Sequence, residues 1–203
     1  MAKETIKLSL NEFMQFMLKP GAARRTYVAQ VKAQRLKDYS PHDDYWRRFR
    51  EGAIKVVQGK WTINDLDDLK SNLPDNKTDN YSEAIDGFIW FIKKKKVRWV
   101  SPPRKILKLS SLSIDMNPEL GFVYRGKVYY CKLFMSSKMS LTRKNADYIL
   151  SVMEHELREK VDVDAIFSII DAKKGVKYDY RGIDRFLDVE VEALSFETYW
   201  EKL

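Results

Sequence analysis

Residues 117–134 read NPELGFVYRGKVYYCKLF. Two runs rich in aromatic and β-branched residues flank Arg125-Gly126, the pattern of a hairpin about a two-residue turn. With that turn, Tyr124 faces Lys127, Phe122 faces Tyr129 and Leu120 faces Cys131. Directly opposed residues share a sheet face with Cβ atoms about 5 Å apart. Glu119 and Lys132 are therefore predicted neighbours, and Cys131 falls on the other face of its strand. The register hangs on the turn: Arg-Gly is a poorer two-residue turn than Asn-Gly, and a one-residue bulge would part the acid from the lysine.

Working outward, the period of two extends upstream to Ile106–Ile114, read as strand. Downstream, Ser140 caps a predicted amphipathic helix over 141–159, with Leu141, Tyr148, Ile149, Val152, Met153 and Leu157 available for burial. Residues 164–171, DAIFSIID, read as a buried strand, and Lys174-Gly175 turns it into a partner at 176–180. A helix closes the chain from about Asp184. Upstream of Ser101-Pro102-Pro103 the pattern is helical. Ser9 caps a helix ending at Pro20-Gly21, and a second spans 22–37. A third opens at Pro41 with Tyr45, Trp46, Phe49 and Ile54 inward, and a fourth starts at Thr62. Residues 74–80, PDNKTDN, read as loop. A fifth helix carries Tyr81, Ile85, Phe88, Ile89 and Ile92 on one face. The expected class is α+β: a helical region over 1–100, then an α/β region over 101–203 in which hairpin, helix and hairpin build a mixed sheet beside a C-terminal helix.

The 203 residues carry a net charge of +8. That balance favours polyanion partners, DNA or RNA, and says nothing about fold. Eight basic residues and no acid lie between Lys93 and Lys108. Lys93, Lys94, Lys95 and Lys96 suit the negative end of a helix dipole. Their continuation through Arg98, Arg104 and Lys105 makes a phosphate-facing strip the second reading of the segment. No run reaches the roughly 18 apolar residues of a membrane span, and the first residues lack a signal-peptide h-region. The expectation is a cytoplasmic protein without a membrane partner. The single Cys131 excludes an intrachain disulfide and a cysteine-cluster zinc site. Nucleotide-binding and serine-hydrolase motifs, GxxxxGK[ST], GxGxxG and GxSxG, do not occur.

A strand opened by Pro118-Glu119, a strand ending in Lys132, a helix and a second hairpin resemble the core of the PD-(D/E)XK, or restriction-endonuclease-like, superfamily, and most closely its recombination-nuclease-like branch. The resemblance covers residues 112–180 and rests on element order more than on letters. It implies that Glu119 and Lys132 occupy catalytic positions, with Glu119 a ligand of Mg²⁺ and the lysine orienting the nucleophile or stabilising phosphate charge. Tyr130 departs from the pattern, because the position two before the lysine holds Asp or Glu in that family. Asp115 shares the face parity of Glu119 but would lie about 13 Å away along an extended strand. Asp171-Ala172-Lys173 spells D-x-K, yet it sits where a turn aspartate is expected. The resemblance thus implies a nucleic-acid-associated protein with a weakened or inactive catalytic core. An active metal-dependent nuclease and a protein-interaction module of a bacterial or phage system stay open beside it. The same segment also resembles bacterial proteins of no assigned function.

Other candidates are fewer. His42 lies beside Asp43 and Asp44 in a helix first turn. His155 stands between Glu154 and Glu156, where successive helix positions point apart and make no ligand cluster. Arg24, Arg25, Arg35, Arg47, Arg48 and Arg50, with Tyr27, Tyr45 and Trp46, mix base and aromatic side chains in a way that suits stacking and phosphate contact. The competing reading buries the aromatics and leaves the arginines on the surface.

Overall fold

The computed structural model describes residues 5–36, 44–73, 75–136 and 139–203; Pro41, His42 and Asp43 lie outside them. The described strands are β1 (Ile6–Ser9), β2 (Arg98–Trp99), β3 (Lys105–Leu109), β4 (Leu112–Met116), β5 (Leu120–Tyr124), β6 (Lys127–Phe134), β7 (Ile166–Asp171) and β8 (Val176–Asp179). The α-helices are α1 (Leu10–Leu18), α2 (Gly21–Arg35), α3 (Arg47–Val57), α4 (Ile63–Asp67), α5 (Asp75–Ile92), α6 (Arg143–Leu157) and α7 (Phe186–Lys202). The class is α+β, with a helical first half and a second half of sheet, helix and terminal helix.

The hairpin forms in the expected register: Leu120 pairs with Cys131, Phe122 with Tyr129 and Tyr124 with Lys127. Arg125 and Gly126 both have positive φ, 49° and 77°. That geometry matches the twist of the flanking strands, and glycine accepts it without strain at the second position. The hairpin lies inside a five-stranded sheet of order β2-β5-β6-β7-β8. β6 runs parallel to β7 through the α6 crossover, and β7 turns back antiparallel into β8. A second sheet, β1-β4-β3, pairs β1 parallel to β4 and β3 antiparallel to it.

Four local expectations need correction. β1 was not expected, because four residues carry too little period to register; its pairing with β4 is wholly non-local. The span 106–114 is two strands, not one. Ser110 turns the chain with φ 51°, and the buried Glu197 of α7 accepts hydrogen bonds from the Ser111 amide, the Ser111 hydroxyl and the Leu112 amide. A distant carboxylate thus holds a turn that local composition does not announce. Residues 75–80 form the start of α5 rather than a loop. There Asn80 is held by tertiary bonds, its amide donating to the Tyr45 hydroxyl and its Oδ1 accepting from Lys173 Nζ. Finally, Thr142 rather than Ser140 caps α6, its side chain accepting from the Asn145 amide.

Two hydrophobic cores cover the two faces of the large sheet, and both join residues from either side of the Ser101-Pro102-Pro103 break. One packs Leu8, Phe13 and Phe16 with Ile114, Ile149, Phe167 and Phe196. The other packs Phe49, Leu66 and Phe88 with Phe122, Cys131, Leu133 and Ile170. Helices α1 and α2 therefore serve one face and α3 to α5 the other. Between them lies a hollow at the Glu119 end of β5.

Candidate functional site

The structure brings Glu119 and Lys132 into contact. Lys132 Nζ lies 2.5 Å from Glu119 Oε1, and the two residues are only 1% and 9% exposed. Lys132 is buried because β6 sends alternate side chains to the first core, where Phe134 and Tyr130 share its parity. The remaining donors of the ammonium meet the Asn117 carbonyl at 3.3 Å and Asn117 Oδ1 at 3.5 Å. The second carboxylate oxygen of Glu119 accepts the Leu133 amide at 2.8 Å. Asn117 also donates to Asp115 at 3.0 Å. Desolvation of such a pair is offset only when the leftover lone pairs and protons find partners; here each carboxylate oxygen has a donor and the ammonium has acceptors besides Glu119.

This arrangement does not fit a Mg²⁺ site. Both oxygens of Glu119 are engaged inside the protein. Tyr130, where the resemblance would call for a second acid, packs its ring 6.1 Å from that of Phe167, and burial raises its hydroxyl pKa. Among the described residues, no three His, Cys, Asp or Glu side chains are grouped to hold a metal ion. Asp171 of the D-x-K triplet ends β7 and holds the turn that follows, its carboxylate accepting the Lys174 amide at 3.2 Å. Lys173 pairs with Glu83 at 2.7 Å.

Glu119 and Lys132 form part of the wall of a cavity of about 850 Å³. Helices α1 and α2 contribute Asn11, Gln15, Gln30 and Gln34, and the α3 side contributes Trp46 and Arg50. Arg50 holds Asp44 at 2.6 Å. Burial pulls the Arg50 pKa down, but its hydrogen bond to Asp44 and the charges of Asp44 and Glu119 leave it raised. Trp99, Arg104 and Asn117 line it as well.

Beside the cavity runs an open groove of about 710 Å³, lined by Lys93, Lys95, Lys96 and Arg98 together with Trp61 and Val97. Gln58 and Trp99 line both hollows, so the groove adjoins the cavity. Of the predicted strip, these four side chains gather in the groove and Arg104 reaches the cavity. Lys94 is exposed outside both. Lys105 does not join them: its ammonium is shared between Glu156 at 3.2 Å and Glu159 at 2.9 Å. Lys93 lies over the Trp90 ring at 4.2 Å. Lys95 lies over Phe91 and donates to its carbonyl; burial and then Lys177 lower its pKa.

Most of the other candidates have structural posts, while Arg25 is exposed. Arg24 pairs with Glu192, Arg35 with Glu12 and Arg47 with Glu51. Trp46 stacks on Tyr81 with centroids 5.2 Å apart. His155 does meet its neighbour Glu156, at 3.0 Å, and stacks on Phe186. Cys131 is fully buried, and burial pushes its thiol up to about 12. Sequence reasoning passed over the amide residues of the cavity and Trp99. The available signal was spacing: Asn11 and Gln15, and likewise Gln30 and Gln34, stand one helical turn apart and share a face. Among known proteins, no family and no curated sequence matches the chain.

Proposed function

We propose that the protein binds nucleic acid along the basic groove, on a restriction-endonuclease-like core whose catalytic positions are closed into an internal ion pair. The observation that carries this reading is the gathering of Lys93, Lys95, Lys96 and Arg98 with Trp61 and Trp99 in one groove. Cations lining one groove suit a phosphate backbone, and aromatic faces stack bases without regard to sequence. The strand order and the Pro118-Glu119 to Lys132 contact support the nuclease-like ancestry. The double engagement of the Glu119 carboxylate supports loss of catalysis.

Fluorescence anisotropy with single-stranded oligonucleotides at several salt concentrations tests the binding. Three exposed groove cations, Lys93, Lys96 and Arg98, are expected to contribute about −2 to the slope of log K against log salt, a contribution lost when all three become alanine. Salt-independent binding, or none to DNA or RNA, removes the reading. Incubation with Mg²⁺ or Mn²⁺ is expected to leave both nucleic acids intact. Cleavage that disappears in Lys132→Ala would restore the active-nuclease alternative.

A further inference from the structure

Resting on that reading, we propose that the cavity beside the groove receives one unpaired nucleotide of the bound strand. The cavity volume of about 850 Å³ lies within the roughly 300–1,000 Å³ of small-molecule sites. Gln58 and Trp99 are common to groove and cavity, so a backbone following the cations passes its mouth. Asn11 and Gln15 from α1 and Gln30 and Gln34 from α2 line it. An amide offers both a donor and an acceptor, the complement of a base pairing edge. Asn11 Oδ1 is buried and has no hydrogen-bond partner among the described residues. That atom is closed off from the cavity space, so the exposed Gln30 and Gln34 are the amides a base can reach. Trp46 and Trp99 supply aromatic surface in the same lining.

Charge in the cavity points the same way. Glu119 is matched by Lys132, Asp44 by Arg50 and Glu12 by Arg35. Arg104 is exposed and meets no carboxylate among the described residues, which leaves its guanidinium for a phosphate. A paired base keeps its pairing edge within the duplex, so the cavity selects single-stranded or extruded nucleotides.

The test uses the full chain and single strands of about 12 nucleotides carrying 2-aminopurine at successive positions. Binding is expected to change the emission at one position. Gln30→Ala with Gln34→Ala removes exposed side chains of α2 and leaves the fold intact by circular dichroism. That variant is expected to bind about tenfold more weakly, to lose the emission change and to keep the salt slope. If it binds with wild-type affinity and keeps the emission change, the cavity assignment is overturned while groove binding stands. If the nucleoside monophosphate alone binds as tightly as the strand, the site belongs to a free nucleotide and the proposal is equally overturned. If the wild-type chain binds no strand at any salt concentration, the underlying reading fails and takes this one with it.

Discussion

Replacing Lys132 by Met tests whether the Glu119–Lys132 contact holds the fold together. Methionine keeps most of the lysine stem in its buried channel, so the change isolates the ammonium. Its removal leaves a carboxylate only 9% exposed with one remaining donor, the Leu133 amide at 2.8 Å. Breaking a buried pair from one side costs about 3–5 kcal/mol, and Lys132→Met is expected in that range. Glu119→Gln is expected at the low end of that range, about 3 kcal/mol: the Asn117 carbonyl and Oδ1 still receive the ammonium, but the single glutamine oxygen can accept from only one of Lys132 and the Leu133 amide. The double variant has no unpaired charge, so it should be about 2 kcal/mol more stable than Lys132→Met alone. Urea unfolding at one pH, with m-values compared across the four proteins, gives the cycle. Losses that simply add, or a Lys132→Met cost below about 1 kcal/mol as for an exposed pair, would refute the account of a satisfied buried ion pair.

Three further outcomes follow from contacts away from that pair. Gly87 of α5 lies against the β7–β8 turn, and a Cβ there would stand 2.2 Å from the Ala172 carbonyl oxygen and 2.3 Å from that of Lys173. Gly87→Ala should therefore cost about 3 kcal/mol or more, and an unchanged thermal midpoint would contradict the packing. Burial holds the Cys131 thiol up at about 12 against an ordinary 9.0. Above about pH 9 the unfolded thiol loses its proton while the folded one keeps it, so stability falls as pH rises, by up to about 1.4 kcal/mol per unit. Urea unfolding near pH 8.5 and 10 should show an extra loss in wild type relative to Cys131→Ala, and parallel curves would contradict it. Lys105→Ala should leave the salt slope of oligonucleotide binding unchanged, because Glu156 and Glu159 already engage that ammonium; Lys96→Ala should lower it by about 0.7.

What the sequence made legible was what a short period controls. Strand side chains alternate with period two, so choosing Arg125-Gly126 as the turn placed Glu119 against Lys132 and Cys131 on the far face together. The α6 burial set followed from helical spacing in the same way. The misses share another cause. β1 exists only because β4 is beside it, the Ser110 turn depends on Glu197 from α7, and residues 75–80 are helical in company with Tyr45 and Lys173. Each depends on partners far along the chain, which no local window contains. The basic strip was legible as charge, but its division was not. Which lysines face the groove and which is taken up by Glu156 and Glu159 is decided by packing of β3 against α6.

The ion pair also explains why any binding energy would come from outside Glu119 and Lys132. A ligand entering the cavity meets Glu119 and Lys132 as a nearly neutral unit, since separating them to reach a phosphate would strand a buried carboxylate. Giving position 130 an acid would not create a metal site by itself. Its side chain packs with Phe167 in the first core, and Glu119 would still have both oxygens bound. Charge available to a polyanion therefore sits at the rim, on Arg104 and the groove cations, while the interior offers amides and indoles. Such a division predicts affinity governed by salt through the rim and base preference governed by the interior. A working nuclease of this architecture would instead need its acid exposed to the ligand.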